Sequence, residues 1–323
     1  MHTVLVTGGE GFIGSTITSQ LIEKGYRVRV ADNISKGPNH AGKREQYEFL
    51  NVDLTNPQAT KKVFEDVDYC IHLAAKIGGI GYFHKYPATI LSENNKINSS
   101  VFEAAAQHKI QRLVYISSSM VFERSDRFPS NEADLKIIPP PKTAYGFSKL
   151  IGEWYCRAFF EEFGLKYNIC RLFNAYGKNE WPGEEVGYAH VIPDMIKKIL
   201  SGDYPLTLLG DGEQTRCFTH VEDVAKGVIA VMENEKGINE DFNVGSSDEI
   251  KMINLAKKIW DLCGIKAPFQ ARFVEGLEHD IKRRVPNCQK VEKMIGWKPR
   301  IKLDQGLHEV VTWLKKELEH IQN

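Results

Sequence analysis

The chain has 323 residues, 42% hydrophobic and 26% charged, and its 42 basic and 42 acidic residues cancel to a net charge of zero. Such a composition is that of a soluble globular protein with two structural units, or one large unit and a satellite, and it excludes a basic field for nucleic acid. No apolar run approaches the roughly 18 residues of a membrane span. Met1 leads almost directly into a strand-like run, so a cytoplasmic protein without a signal peptide is expected.

Cys70, Cys156, Cys170, Cys217, Cys263 and Cys288 are scattered, with no Cys-x-x-Cys pair. Buried or free thiols in a reducing compartment are expected, not disulfides or a metal site.

Val4-Leu5-Val6 is a short apolar run, and Thr16, Ile17, Leu21 and Ile22 set a helical period that ends at Gly25. Between them lies Thr7-Gly8-Gly9-Glu10-Gly11-Phe12-Ile13-Gly14, where a dinucleotide-binding loop belongs. Gly8 permits the tight turn, Gly11 lets backbone approach a pyrophosphate, and Gly14 lets helix and strand pack closely. The helix start at Phe12 and Ile13 offers amide donors and the positive dipole end. Asp32 closes the next strand-like run, Arg27-Val28-Arg29-Val30-Ala31, with Asn33 beside it. A carboxylate there accepts from a ribose diol and repels a 2′-phosphate, so NAD is expected over NADP. Lys36 is a nearby cation that could tolerate the phosphate.

Residues 47–54 read as a strand ending at Asp53-Leu54, an edge for the adenine. A short helix covers 61–64. Tyr69-Cys70-Ile71-His72-Leu73-Ala74-Ala75 reads as a strand ending in small residues that a cofactor can approach. Residues 94–108 form a helix, opened by Asn94, with Ile97, Val101, Ala104 and Ala105 on one face. Leu113-Val114-Tyr115-Ile116 is a strand running into Ser117-Ser118-Ser119. Strands alternating with helices imply an α/β fold, a Rossmann-type doubly wound parallel sheet, whose ligands bind at the carboxyl ends of its strands. The glycine loop, Asp32, Leu73, Ala74, Ala75 and Ser117 all fall on that edge.

Tyr145 and Lys149 are four residues apart, which puts both on one face of a helix. A phenol titrates near roughly 10, and a neighbouring ammonium lowers that value, so the pair can serve as acid or base near neutrality. The helix 145–163 carries Leu150, Ile151, Trp154, Tyr155, Ala158, Phe159 and Phe163, a stripe wider than one packed face requires. Part of it is expected to meet the same helix of a second subunit. Residues 167–173 are a further strand ending at Asn174. Beyond it the pattern loosens, as for a smaller C-terminal α/β lobe. The expected division is a cofactor-binding domain at 1–173 and a substrate lobe at 174–323, with some segments returning to the first.

Together these features resemble the extended short-chain dehydrogenase/reductase family, the NAD-dependent sugar-nucleotide epimerases and dehydratases. Gly8-x-x-Gly11-x-x-Gly14, Ser117-Ser118-Ser119-Met120-Val121-Phe122 and Tyr145-x-x-x-Lys149 match its motifs. So do Arg171-x-x-Asn174-x-Tyr176-Gly177 and Gly210-Asp211-Gly212-Glu213-Gln214-Thr215-Arg216. The resemblance implies that Tyr145 exchanges a proton with a sugar hydroxyl, that Lys149 holds the cofactor ribose, and that Ser118 bonds the same sugar oxygen. It adds Asn94 to the cofactor contacts. For a nucleotide-diphosphate sugar it implies contacts from Lys76, Gly78, Ser119, Asn174, His190 and Val191, with Arg216 and Arg284 on the phosphates.

Dehydratases place acids where this chain has Ser119 and Met120, so dehydration is not expected. Lys76-Ile77-Gly78-Gly79-Ile80-Gly81, Tyr86-Pro87 and His190-Val191-Ile192-Pro193 resemble GDP-mannose 3,5-epimerase and GDP-fucose synthase. Those use a Cys at the position of Met120 and a second base at that of His190. With a thioether there, the resemblance implies a UDP-glucose 4-epimerase-like enzyme working at C4 through a transient 4-keto sugar. C3/C5 epimerisation of a GDP-mannose-type sugar and 4-keto sugar reduction are the alternatives; a non-catalytic NAD(H) sensor is a remote one. The resemblance also implies a homodimer built on a four-helix bundle.

Overall fold

The computed structural model describes residues 1–35, 44–78, 80–183, 190–276 and 281–322. In chain order the first half holds β1 (Thr3–Thr7), α1 (Phe12–Glu23), β2 (Arg27–Asp32), β3 (Glu48–Asn51), α2 (Pro57–Val63), β4 (Tyr69–His72), α3 (Ile80–Lys85), α4 (Pro87–Gln107), β5 (Arg112–Ser118), α5 (Ala144–Phe163) and β6 (Tyr167–Leu172). The second half holds β7 (Ala175–Tyr176), α6 (Val191–Leu200), β8 (Leu206–Leu209), β9 (Thr215–Cys217), β10 (Thr219–His220), α7 (Val221–Glu233), β11 (Glu240–Val244), β12 (Glu249–Lys251), α8 (Met252–Cys263), β13 (Ala271–Val274), β14 (Arg283–Arg284), α9 (Gln289–Ile295) and α10 (Leu303–Gln322).

Among the described residues one seven-stranded sheet runs in the order β11-β6-β5-β4-β1-β2-β3, and every neighbouring pair is parallel. Every residue of β1 is buried. A parallel sheet covered on both faces demands that, because no strand face meets water. Ile17 and Leu21 of α1, Val224 and Val228 of α7 and Val291 of α9 close one face. Val63 of α2, Val101 and Phe102 of α4 and Cys156 of α5 close the other. The Rossmann-type arrangement expected from the sequence is the one observed. A third apolar core joins Ile192 and Ile196 of α6, Leu255 and Ile259 of α8, and Leu307 and Val310 of α10. β11 comes from the second half of the chain yet completes the large sheet beside β6.

Several elements differ from the sequence reading: β4 stops at His72, short of Ala75, and the short helix expected over 61–64 is α2 at Pro57–Val63. The strand expected over 47–54 is only β3, which leaves Asp53 and Leu54 in the following turn. The helix expected from 94 begins at Pro87, where a first-turn proline loses no hydrogen bond. α3 was not anticipated, because its segment carries several glycines and reads as a loop.

α5 starts where the Thr143 side chain accepts from Gly146 N, and it stops at Gly164 in the left-handed region. Its outward side carries Phe147, Trp154, Phe160 and Phe163, between 39% and 64% exposed. The apolar residues of α4 are instead turned inward, and Ser92, Lys96 and Glu103 face out. The surplus apolar surface expected on the 145–163 helix is thus found on α5, and α4 has none to match it.

Candidate active site

A cleft of about 1230 Å³ runs along the carboxyl edge of the sheet. That exceeds the roughly 300–1,000 Å³ usual for one small ligand and suits two ligands end to end. Gly8, Gly11, Phe12, Ile13, Gly14, Asp32, Asn33, Asp53, Leu54, Leu73, Ala74 and Ala75 line one end of it. Lys76, Gly78, Ser117, Ser118, Ser119, Tyr145, Lys149, Asn174, His190, Val191, Arg216 and Arg284 line the rest. Lys36 lies outside the described residues.

At the glycine loop the fit is made by backbone. Gly8 has φ +71°, and a Cβ on it would stand 2.9 Å from Ala74 N. On Gly14 a Cβ would fall 2.1 Å from the Gly8 carbonyl. Only glycine lets loop, helix and strand end meet this closely. Asp32 Oδ1 accepts from Ile34 N at 2.8 Å, and its Oδ2 accepts from Glu10 N at 3.0 Å. Burial pushes the Asp32 pKa above the ordinary carboxylate value, against the pull of those amide bonds. Asn33 and Asp53 use their side chains in turns, accepting from Ser35 N and from Thr55.

The strand end of β5 and the first turns of α5 make the reacting end. Tyr145 is 5% exposed, and its ring stacks on Phe83 of α3 at 4.4 Å between centroids and 6° between planes. The Ser118 hydroxyl bonds Tyr145 and accepts from Met120 N at 3.2 Å. Burial raises the phenol to about 12, while the Ser118 hydrogen bond and the charge of Arg284 pull it down. The expectation that Lys149 governs this value fails: its Nζ is 6.0 Å from the Tyr145 ring centre and donates instead to Ile116 O at 2.9 Å. Burial lowers Lys149 itself to about 8.

Other expected contacts are changed. Asn94 does not line the cleft: its side chain holds Lys76 N at 2.6 Å, Lys76 O at 3.3 Å and Ser148 Oγ at 3.1 Å, so it shapes the wall from behind. Ser117 turns its hydroxyl inward to Glu153 Oε1 at 2.7 Å, leaving its backbone to the cleft. Asn174 donates to Cys217 O at 2.8 Å. Lys76 pairs with Glu93 at 3.6 Å. Arg284 sits beside Arg216 in strand register, and its guanidinium reaches Met120 Sδ at 3.0 Å and lies 3.5 Å from Ser119 Oγ. It therefore lies at the Tyr145 end of the cleft, where the sequence had offered it only to phosphates.

Sequence reasoning missed four residues. Phe83 walls Tyr145 from a helix that was not foreseen. Glu123 Oε2 accepts from Thr143 N and Oγ1, both at 2.9 Å, and fixes the start of α5. Glu153 repeats the Tyr145, Lys149 spacing once more, a signal that could have been used; it is fully buried and forked by Arg171 at 2.8 and 2.7 Å. Glu180, 6% exposed, bonds His190 Nδ1.

The model of the NAD dependent epimerase/dehydratase family matches residues 4–245. The chain belongs to this family. Its cofactor is NAD, and the glycine cradle, the Asp32 carboxylate and the buried Lys149 form a donor and acceptor set that fits it. Among curated relatives, UDP-glucuronic acid decarboxylase 1 of Xenopus tropicalis is 29% identical over 99% of this chain and 74% of its own length. A putative UDP-glucose 4-epimerase of Methanocaldococcus jannaschii is 34% identical over 97% and 98%. Among solved structures, UDP-glucose 4-epimerase of Thermotoga maritima with UDP-glucose matches with a TM-score of 0.86 at 29% identity, over 98% and 99% of the two chains. Within the family are sugar-nucleotide epimerases, dehydratases and decarboxylases. Among the described residues no helix is long and apolar enough to cross a membrane, and no group of His, Cys, Asp and Glu could hold a metal ion.

Proposed function

We propose that the protein is an epimerase of a nucleotide-diphosphate sugar, inverting C4 through a transient 4-keto sugar. The observation that carries this reading is the wall around Tyr145: Ser118 bonds its phenol, and Met120, Phe83 and Ile77 pack beside it. A thioether and hydrocarbon cannot move a proton at carbon, so this wall offers no second proton carrier beside Tyr145, as C4 inversion requires. NAD, when bound, supplies the hydride acceptor and returns the hydride.

Tyr145 takes the C4 hydroxyl proton and gives it back, and Ser118 shares the same oxygen. Lys149 holds a proton close by at neutral pH and anchors α5 to Ile116 O. Gly8, Gly11, Phe12, Ile13 and Gly14 would hold the pyrophosphate of NAD, and Asp32 its ribose diol. Arg216 would meet the sugar nucleotide's diphosphate, a match for a guanidinium fork. Residues 1–173 and 174–323 are the proposed cofactor and substrate portions. Because Arg284 brings a cation to the Tyr145 end, a sugar with an acidic C6 group is the first substrate to try; the Xenopus relative is named for UDP-glucuronic acid.

The test is to incubate the protein with UDP-, GDP-, CDP- and dTDP-sugars in deuterium oxide, without added reductant. A C4 epimer free of carbon-bound deuterium is expected. Deuterium at C3 or C5 would overturn the C4 assignment. It would favour the C3/C5 reading, for which the His190–Glu180 pair is the supporting observation, since a carboxylate that orients a histidine equips it as a base.

We also propose an isologous homodimer that covers the exposed face of α5, where Phe147 and Trp154 lie seven residues apart on one side. Trp154→Glu should convert a dimer mass to a monomer mass in light scattering. A monomeric wild type at micromolar concentration would sink this.

A further inference from the structure

Glu10 interrupts the glycine loop with a carboxylate, yet it is 2% exposed. Burying a carboxylate is unfavourable unless it is paired and hydrogen-bonded. Arg44 supplies the pairing: Nε donates to Oε1 and Nη2 to Oε2, both at 3.1 Å. Tyr47 donates its hydroxyl to Oε1 at 2.7 Å. Arg44 also lies over the Phe49 ring, 4.5 Å from its centre.

The location gives this clamp its meaning. Glu10 N donates to Asp32 Oδ2 at 3.0 Å, so the clamp is one hydrogen bond away from the carboxylate assigned to the ribose diol. Arg44 lies in a short turn that ends two residues before β3, the strand whose Asn51 pairs in register with Asp32. A guanidinium near the acid that ends β2 is the group that accommodates a ribose 2′-phosphate, and its fork prefers a carboxylate or a phosphate. Two carboxylates therefore act at this end of the cleft. Asp32 repels the phosphate, and Glu10 occupies the cation that would attract it.

We propose that Glu10 is a positioning residue for cofactor choice: it holds Arg44 by a two-bond fork away from the ribose 2′ position, and NAD is selected jointly by Asp32 and Glu10. This rests on the NAD reading of the cleft. Glu10 acts through Arg44 and touches neither reacting atom.

The experiment measures NADH and NADPH dissociation constants of the full-length protein by nucleotide fluorescence. Glu10→Gln keeps the side chain's shape and removes its charge. NADPH should bind about 10-fold more tightly, the worth of one charge-assisted bond at about 1.4 kcal/mol, with NADH within about 2-fold. Adding Arg44→Met should erase the gain, whereas Arg44→Met alone should leave NADPH binding as weak as in the wild type. The idea is overturned if both nucleotides weaken together in Glu10→Gln, which is loop damage, or if the gain survives Arg44→Met. Should Glu10→Gln fail to fold, Asp32→Ala serves with Glu10 intact. There NADPH affinity should be the same with and without Arg44→Met, and a loss on removing Arg44 would show that the clamp does not hold it. A wild type that binds neither nucleotide would sink the cofactor reading itself.

Discussion

At the glycine-loop end of the cleft the wall is mostly backbone. At the Tyr145 end it is side chains, carried by β5, α3, α5, α6 and β14. The first end is fixed by where a Cβ is forbidden, as at Gly8 and Gly14, and by the carboxylates of Asp32 and Glu10. The second is fixed by hydrogen bonds between segments distant in sequence, such as Thr143 to Glu123 and Asn94 to Lys76. The difference teaches that the glycine-loop end is shaped mainly by chain geometry, with the two carboxylates added, whereas the Tyr145 end is shaped by particular side chains. Substitutions should separate the two.

Tyr145→Phe should separate them furthest. The ring and its stacking on Phe83 remain, so NAD should still bind, but turnover should fall by at least ~10²-fold, the scale of general acid-base catalysis. Turnover near the wild-type rate, with NAD content unchanged, would break the comparison at once.

Lys149→Met is next. Burial holds the Lys149 pKa at about 8, against 10.5 when free. The folded state therefore binds fewer protons than the unfolded state between these values, and this group's stability contribution rises with pH across them. Below pH 8 the buried ammonium is a full penalty of about 3 kcal/mol relative to the neutral amine, with its bond to Ile116 O already included. Without added nucleotide, the Met variant should be more stable than wild type by about 3 kcal/mol at pH 7. The gap should close by pH 10.5, as urea midpoints will tell; a gap that ignores pH would refute the assignment.

Asp32→Ala should lower the preference for NADH over NADPH by about 10-fold, the loss of a charged hydrogen-bonding group, with little change in sugar-nucleotide binding. An unchanged preference would remove Asp32 from cofactor choice. The smallest effect is expected from His190→Ala: a few-fold in KM or kcat, with NAD binding untouched, as for one partly exposed contact whose partner stays buried. A loss as large as that of Tyr145→Phe would move His190 into the chemistry.

The same contrast explains what the sequence made legible. A glycine loop between strand and helix, an acid at the next strand end and alternating strands are local patterns, and the parallel sheet with its ligand edge followed from them. The Tyr145–Lys149 spacing found its helix because spacing is local too. What escaped depends on contacts across the chain. Asn94 looked like a cofactor contact until its amide was seen holding Lys76. Ser117 faced the cleft on paper but turns to Glu153. Local spacing put Lys149 next to Tyr145, while burial and Ile116 O decide where its ammonium goes. α3 was hidden because glycines depress helix propensity and only packing against Tyr145 outweighs them.

β11 carries a consequence for the chain as a whole. The outermost strand of the large sheet is delivered only after α6 and β8 to β10 have been laid down in the smaller lobe, so the two lobes are interlaced along the backbone. Severing the chain near 174 would leave β6 with an open row of amide and carbonyl groups and would uncover the side of the sheet sheltered by α7 and α9. The lobes are thus not separable by one scission. A nicked molecule would stay assembled, and its two fragments, once parted, would each carry the missing edge of the other.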